Sequence, residues 1–148
     1  KNKRSYRGDS MFNHHTKSKG DLAIFKSQLD LYEKGYTVLL PLTEHAPFDL
    51  VAYKDYQLLR IQVKHRHLSE KGTLYIKFSN SYSTKHGVQT KPIDKSQVDY
   101  YCVYCPETDL CYYVRPMDFE KSVMLRVTKA KNNQVNHVVL ADNYLDIN

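Results

Sequence analysis

No apolar run in this 148-residue chain approaches the roughly 20 residues needed to cross a bilayer, so a membrane span is not expected. The first residues are basic and polar, without the apolar stretch of a secretory signal. The expectation is an intracellular protein, cytoplasmic in a bacterium or organelle. Cysteine is scarce: Cys102, Cys105 and Cys111 are the only three. Cys102 and Cys105 have CxxC spacing, but a structural zinc site needs a fourth ligand, and His86 and His137 are remote. Free thiols in a reducing compartment are the better reading. Internal repeats and low-complexity tracts are missing too, and the length suits one domain.

Acidic residues are the next shortfall, 16 against 22 Lys and Arg, leaving a net charge of +6. Most of the excess lies in residues 1–20, where Lys1, Lys3, Arg4, Arg7, Lys17 and Lys19 face Asp9 alone. Such a balance fits a polyanionic partner, nucleic acid being the commonest, and equally a solvated leader. We read residues 1–18 as a basic N-terminal arm and 19–148 as a single domain.

Leu22, Phe25, Leu29 and Tyr32 recur at helical spacing. They predict a helix over about 22–34, with Asp21 as N-cap and Gly35 beyond its C-terminus. Strands are expected at 36–40, 73–78 and 122–128, a helical turn at 93–98, and a hairpin from 100–104 and 110–114. The polar stretch SNSYSTKHGVQTKP between Phe78 and Ile93 reads as a loop, either touching DNA or merely lying on the surface. The tyrosines around it, from Tyr100 to Tyr113, read as sheet packing rather than base stacking. Asp99 reads as a structural cap. Residues 135–140 resist placement. The order predicts an α/β domain around a mixed β-sheet with flanking helices.

PFDLVAYKDYQLLRIQVKHR, residues 47–66, is the informative stretch. Two apolar-rich runs flank a polar turn, so a β-hairpin centred on Asp55-Tyr56 is expected. That register sets Leu50 against Ile61, Ala52 against Leu59 and Phe48 against Val63, giving one wholly apolar face. It sets Asp49 opposite Gln62 on the other face, with Lys64 on the same side. A carboxylate and an amide oxygen, with the Val63 carbonyl as a third donor, suit a hard cation such as Mg²⁺ that keeps several waters. A lysine beside them suits phosphodiester hydrolysis. The plainer alternative is an Asp49–Lys64 ion pair on an exposed sheet face.

Asp49, Gln62, Val63 and Lys64, after Pro47-Phe48, resemble the core motif of the PD-(D/E)xK nucleases. The QVK form resembles the group I intron-encoded homing endonucleases of that superfamily. KGDLAIFKSQLDLYEKGY before the motif and VDYYCVYCPETDLCYYVRP after it fit the restriction-endonuclease-like α-β-β-β core and a downstream hairpin. The resemblance covers about residues 17–128. It implies double-strand DNA cleavage with Mg²⁺ or Mn²⁺, Asp49 as central metal ligand, Gln62 in the second ligand position and Lys64 as catalytic lysine. It implies a homodimer or homotetramer acting on a nearly palindromic duplex. The helix position that usually carries Glu is Ile24 here, a departure that bears on activity and leaves room for a non-catalytic DNA-binding protein or a junction-resolving or repair nuclease. Further DNA contacts are expected from Lys17, Lys19, Arg66, His67, Lys85 and Lys91.

Overall fold

A computed structural model of the protein describes residues 16–129, 132 and 136–148. Helix α1 spans Thr16–Glu33. It therefore starts ahead of Asp21, which lies inside it rather than capping it, and it takes in the end of the segment read as an arm. Gly20 is the only poor helix former among residues 16–20, and one internal glycine costs only about 1 kcal/mol. Residues 1–15, most of that arm, lie outside the described residues. The helix stops as the sequence expects. Gly35 has φ +87°, Tyr36 N–H donates to Leu31 O at 3.0 Å and Gly35 N–H to Tyr32 O at 3.0 Å, the paired bonds of a glycine-terminated helix end.

The helix buries a different face from the expected one. Ala23, Ser27 and Leu31 are at most 1% exposed, whereas Phe25 is 67% and Tyr32 75% exposed. Leu22 and Leu29 are also exposed. Both faces carry apolar residues, so periodicity alone cannot choose between them. The sheet beneath supplies bulk from Tyr100, Tyr104 and Tyr113, and the small Ala23 and Ser27 side chains let the helix settle onto it. Ser27 Oγ bonds Ala23 O at 2.7 Å and receives the Cys102 thiol at 3.1 Å.

Among the described residues ten strands follow, in three sheets. The main sheet has β1 (Thr37–Leu39), β2 (Leu50–Lys54), β3 (Gln57–His65), β7 (Tyr100–Cys105) and β8 (Leu110–Val114), in that spatial order. Its only parallel neighbours among the described residues are β3 and β7, so the sheet is mixed. Every residue of β7 is buried, because both faces of the sheet are covered. Leu50, Ala52, Ile61 and Val63 pack with Cys102 under α1. On the other face Tyr101, Val103, Tyr112 and Val114 meet a second sheet. That sheet is β4 (Thr73–Lys77), β9 (Ser122–Arg126) and β10 (Val139–Leu140), with β10 parallel to β9. Residues 139 and 140 thus give the unplaced tail segment an anchor. The cysteines are free buried thiols, and no cluster of three His, Cys, Asp or Glu fit for a metal occurs among the described residues.

The largest departure is at 79–92. The expected loop is a separate two-stranded ribbon, β5 (Ser79–Thr84) and β6 (Gly87–Pro92), closed at Lys85-His86. Polar residues on both of its faces conceal it from any apolar-alternation test.

Candidate active site

The hairpin of β2 and β3 places the site. Its turn is Asp55-Tyr56, with φ of 51° and 64°, the left-handed pair that matches strand twist in a two-residue loop. Leu50 pairs with Ile61 and Ala52 with Leu59, as the pattern predicts. The ladder ends there, and the expected Asp49–Gln62 and Phe48–Val63 pairs are not part of it. Asp49 N–H bonds Ile61 O at 2.9 Å, and the Asp49 carboxylate accepts the Val63 N–H at 2.7 Å. A short acidic side chain has replaced a backbone acceptor, as Asp readily does. One strand residue turns its N–H and C=O to the same side, so the Val63 carbonyl also faces the Asp49 edge.

One Asp49 oxygen is held by Val63. Among the described residues the other has no hydrogen-bond partner, and neither do the Gln62 amide or the Lys64 amine. No salt bridge joins Asp49 to Lys64 within 4.0 Å, so the plain ion pair is not what holds these residues. Both are half-buried. Burial pushes the Asp49 carboxyl above its ordinary range, against the Val63 bond and the Lys64 charge. Burial and then the Arg66 guanidinium push the Lys64 amine down, against Asp49. Two charged groups kept close, unpaired and unfavourably solvated form a poised site rather than a stabilising one.

The parallel ladder adds a residue that sequence reasoning assigned to packing. Tyr101 is the β7 neighbour of Gln62, and the Lys64 amine lies 5.9 Å from its ring centroid. Tyr101 is fully buried, and its hydroxyl has no hydrogen-bond partner among the described residues. Burial raises its pKa to about 12. No local signal marks Tyr101 among its tyrosine neighbours; only the β3–β7 alignment does. Four polar groups without full partners therefore share one end of the sheet. One carboxylate, one amide oxygen and one backbone carbonyl make a donor set fit for a hard divalent cation that keeps waters and meets a phosphate, not for a closed protein cage.

The other expected residues are spread over the fold. Arg66 borders the site, its charge acting on Lys64, whereas Lys19 acts on His65, which packs against Tyr104 on the opposite sheet face and whose pKa is lowered chiefly by burial. His67 is engaged elsewhere, its Nδ1 2.7 Å from Glu107 Oε1, which with Leu68 N–H draws the Glu107 carboxyl down to about 2 despite its desolvation. Lys85 and Lys91 stand on the exposed ribbon. Lys17 is in α1, but its side chain lies outside the described residues. Ile24 is half-buried against the cluster that includes Val63. Asp99 is structural, as expected, forming a bidentate pair with Arg60 through two 3.0 Å bonds and accepting Arg60 N–H at 2.7 Å.

A helix laid over a mixed sheet, with Asp49, Gln62 and Lys64 where β2 leaves β3, defines a domain of the α/β class. The chain belongs to the PD-(D/E)XK endonuclease family, whose model matches residues 14–147. It is similar in fold to a bacterial homing endonuclease, I-Ssp6803I, with a TM-score of 0.71, 24% identity and 88% of each chain covered. The Holliday junction resolvase Hjc of the archaeal hyperthermophile Archaeoglobus fulgidus aligns at a TM-score of 0.44 and 17% identity, over 72% of this chain and 82% of that one. Among curated proteins none matches. No helix among the described residues is long and apolar enough to cross a membrane.

Proposed function

We propose that this protein is a site-specific double-strand DNA endonuclease of the homing type, hydrolysing phosphodiesters with Mg²⁺ or Mn²⁺. The observation that carries the proposal is the set of Asp49, Gln62 and Lys64 groups left without full hydrogen-bond partners at one end of the β2–β3 hairpin. Asp49, Gln62 and the Val63 carbonyl would hold the ion, which when bound polarises the phosphate and its attacking water. Lys64 would orient that water and, with Arg66, offset charge on the phosphate.

The test is cleavage of long duplex DNA with Mg²⁺ or Mn²⁺ by the wild type, Asp49→Ala, Lys64→Ala and Ile24→Glu. Cutting is expected from the wild type and lost in both alanine variants. An increase of about tenfold or more is expected for Ile24→Glu, which adds a carboxylate on the helix packed against the cluster that includes Val63. Equal cleavage by wild type and alanine variants would sink the site assignment. Ile24 itself favours a second reading, a DNA-binding protein that does not cut, and tight sequence-specific binding without cleavage by any variant would establish it. Four-way junctions tested beside linear duplex separate a junction nuclease from both.

One site acts on one strand, so cutting a duplex calls for two copies related by symmetry on a nearly palindromic target. The exposed apolar stripe of α1 suits such a contact. Leu22 and Tyr32, and likewise Phe25 and Leu29, lie equally far from position 27. A two-fold axis at that level would set Leu22 against the partner's Tyr32 and Phe25 against the partner's Leu29. Sedimentation equilibrium should show a dimer or tetramer for the wild type and a monomer for Phe25→Asp. A wild type that stays monomeric both free and on DNA would remove this contact.

A further inference from the structure

We infer that the β5–β6 ribbon is the base-reading element of this protein and enters the major groove of duplex DNA beside the cut site. The inference rests on the DNA-endonuclease reading and names which residues would recognise the sequence.

Nothing about the ribbon's packing explains its existence. It pairs with neither of the other sheets. Apart from the half-buried Ser79, every residue of both strands is exposed, and none belongs to either core cluster. A lone two-stranded hairpin is marginal in water, so a free-standing one calls for a use on its surface.

The base of the ribbon is anchored in the core and close to the site. Phe78, immediately before β5, is 3% exposed, donates its N–H to Lys121 O and accepts from Ile93 N–H. Its ring packs edge-on against Tyr101 with centroids 5.1 Å apart, and Tyr101 lies under the Lys64 amine. The ribbon therefore springs from the sheet face that carries the unpartnered groups, one aromatic ring away from them.

Its composition matches a groove of DNA. Between Lys77 and Ile93 there is no carboxylate, while Lys77, Lys85 and Lys91 supply positive charge. The pairing puts Asn80 beside Lys91 and Tyr82 beside Gln89, with Thr84 at the tip of the same face. The opposite face carries Ser81, Ser83, Val88 and Thr90. Asn and Gln are the side chains that bond adenine through two atoms, and Lys bonds the acceptors of guanine. Six residues of strand reach about 20 Å, and the major groove of B-form DNA, about 12 Å wide, admits a two-stranded ribbon. The deep, narrow major groove of duplex RNA does not. With Asn80, Gln89 and Lys91 toward the bases, Lys85 at the tip is left for a phosphate.

The experiment selects bound sequences from linear duplexes with a randomised centre, in Ca²⁺ so that binding is read without cutting. Wild type, Asn80→Ala, Gln89→Ala and Lys85→Ala are compared, with thermal midpoints as the check on folding. Asn80→Ala and Gln89→Ala should each lose roughly 10- to 100-fold discrimination at particular base positions, with binding to unrelated duplex unchanged. Lys85→Ala should weaken binding to all sequences alike and lower the salt dependence by about one ion. If wild type, Asn80→Ala and Gln89→Ala select the same sequence with the same affinity, the ribbon does not read bases. If the wild type selects no sequence and cuts no duplex with Mg²⁺ or Mn²⁺, the DNA-endonuclease reading fails and this inference falls with it. Equal binding to an RNA duplex would overturn the groove assignment alone.

Discussion

Asp49→Asn is expected to abolish cleavage, by roughly a thousandfold or more, while making the metal-free protein harder to unfold. An amide keeps an oxygen for the Val63 N–H, which the carboxylate accepts at 2.7 Å, but it forfeits the charge that would hold a divalent ion. The stability gain follows from the raised Asp49 pKa, whose first cause is burial. An acid raised in the folded state contributes stability that is fully present below its unfolded pKa and lost as pH rises through the folded value. At neutral pH the ionised group therefore weighs against folding, even with Lys64 and Val63 in its favour. Asparagine resembles the protonated acid and removes that cost.

The thermal midpoint of Asp49→Asn should exceed the wild type by on the order of 2 °C at pH 7, and the difference should vanish below about pH 4. Mg²⁺ at millimolar concentration should raise the wild-type midpoint by mass action and leave the variant unmoved. A variant that melts lower at pH 7, or that still cuts, would contradict the role given to this carboxylate. The same physics gives cleavage by the wild type an acid limb above the pH at which an ordinary aspartate titrates, because the ligand must be ionised to act.

Gly72→Ala should be the costliest single-methyl change in the described fold. Gly72 has φ +74°, where an L side chain is strained. A Cβ built there lies 1.6 Å from Thr128 Oγ1 and 2.9 Å from Thr128 Cβ, so rotating a hydroxyl does not relieve the clash. The backbone cannot drift either. Gly72 O accepts from Val127 N–H at 2.9 Å and from Thr128 N–H at 3.2 Å, and Gly72 N–H donates to Ser69 O at 2.9 Å. These bonds set the start of β4 against the end of β9. We expect a loss of about 3 kcal/mol, against a total of about 5–15 kcal/mol for an ordinary domain. Gly20→Ala is the control: Gly20 lies inside α1 with nothing within 4 Å of its Cβ position, and this substitution should gain about 0.5–1 kcal/mol. Urea unfolding of both variants reads the contrast, and equal stabilities would show that the β4–β9 end relaxes freely.

The β2–β3 hairpin shows how far local chemistry reaches. Alternation of apolar and polar residues sufficed to centre the turn on Asp55-Tyr56 and to align Leu50 with Ile61, because only that register gives an unbroken apolar face. It also put Gln62 and Lys64 on one side of one strand, since side chains alternate along any strand. The position of Asp49 was legible to within a residue, but not its step out of the ladder onto the Val63 N–H, a competition between side chain and backbone that spacing does not express.

Tertiary structure decided what local pattern left equal. Two faces of α1 carry apolar residues, and the close fit of Ala23 and Ser27 over a tyrosine-rich sheet, rather than the larger stripe of Leu22, Phe25, Leu29 and Tyr32, selected the buried one. Tyr101 became part of the site only through the parallel pairing of β3 with β7, whose members are far apart in the chain. The ribbon at 79–92 is polar on both faces, so no burial signal marks it, and its pairing is seen only once folded. Sequence alone therefore determined the family motif and the register of its hairpin, where the driving force is burial read along one segment. Structure alone determined which surfaces remain outside, because that depends on what distant segments bring to cover them.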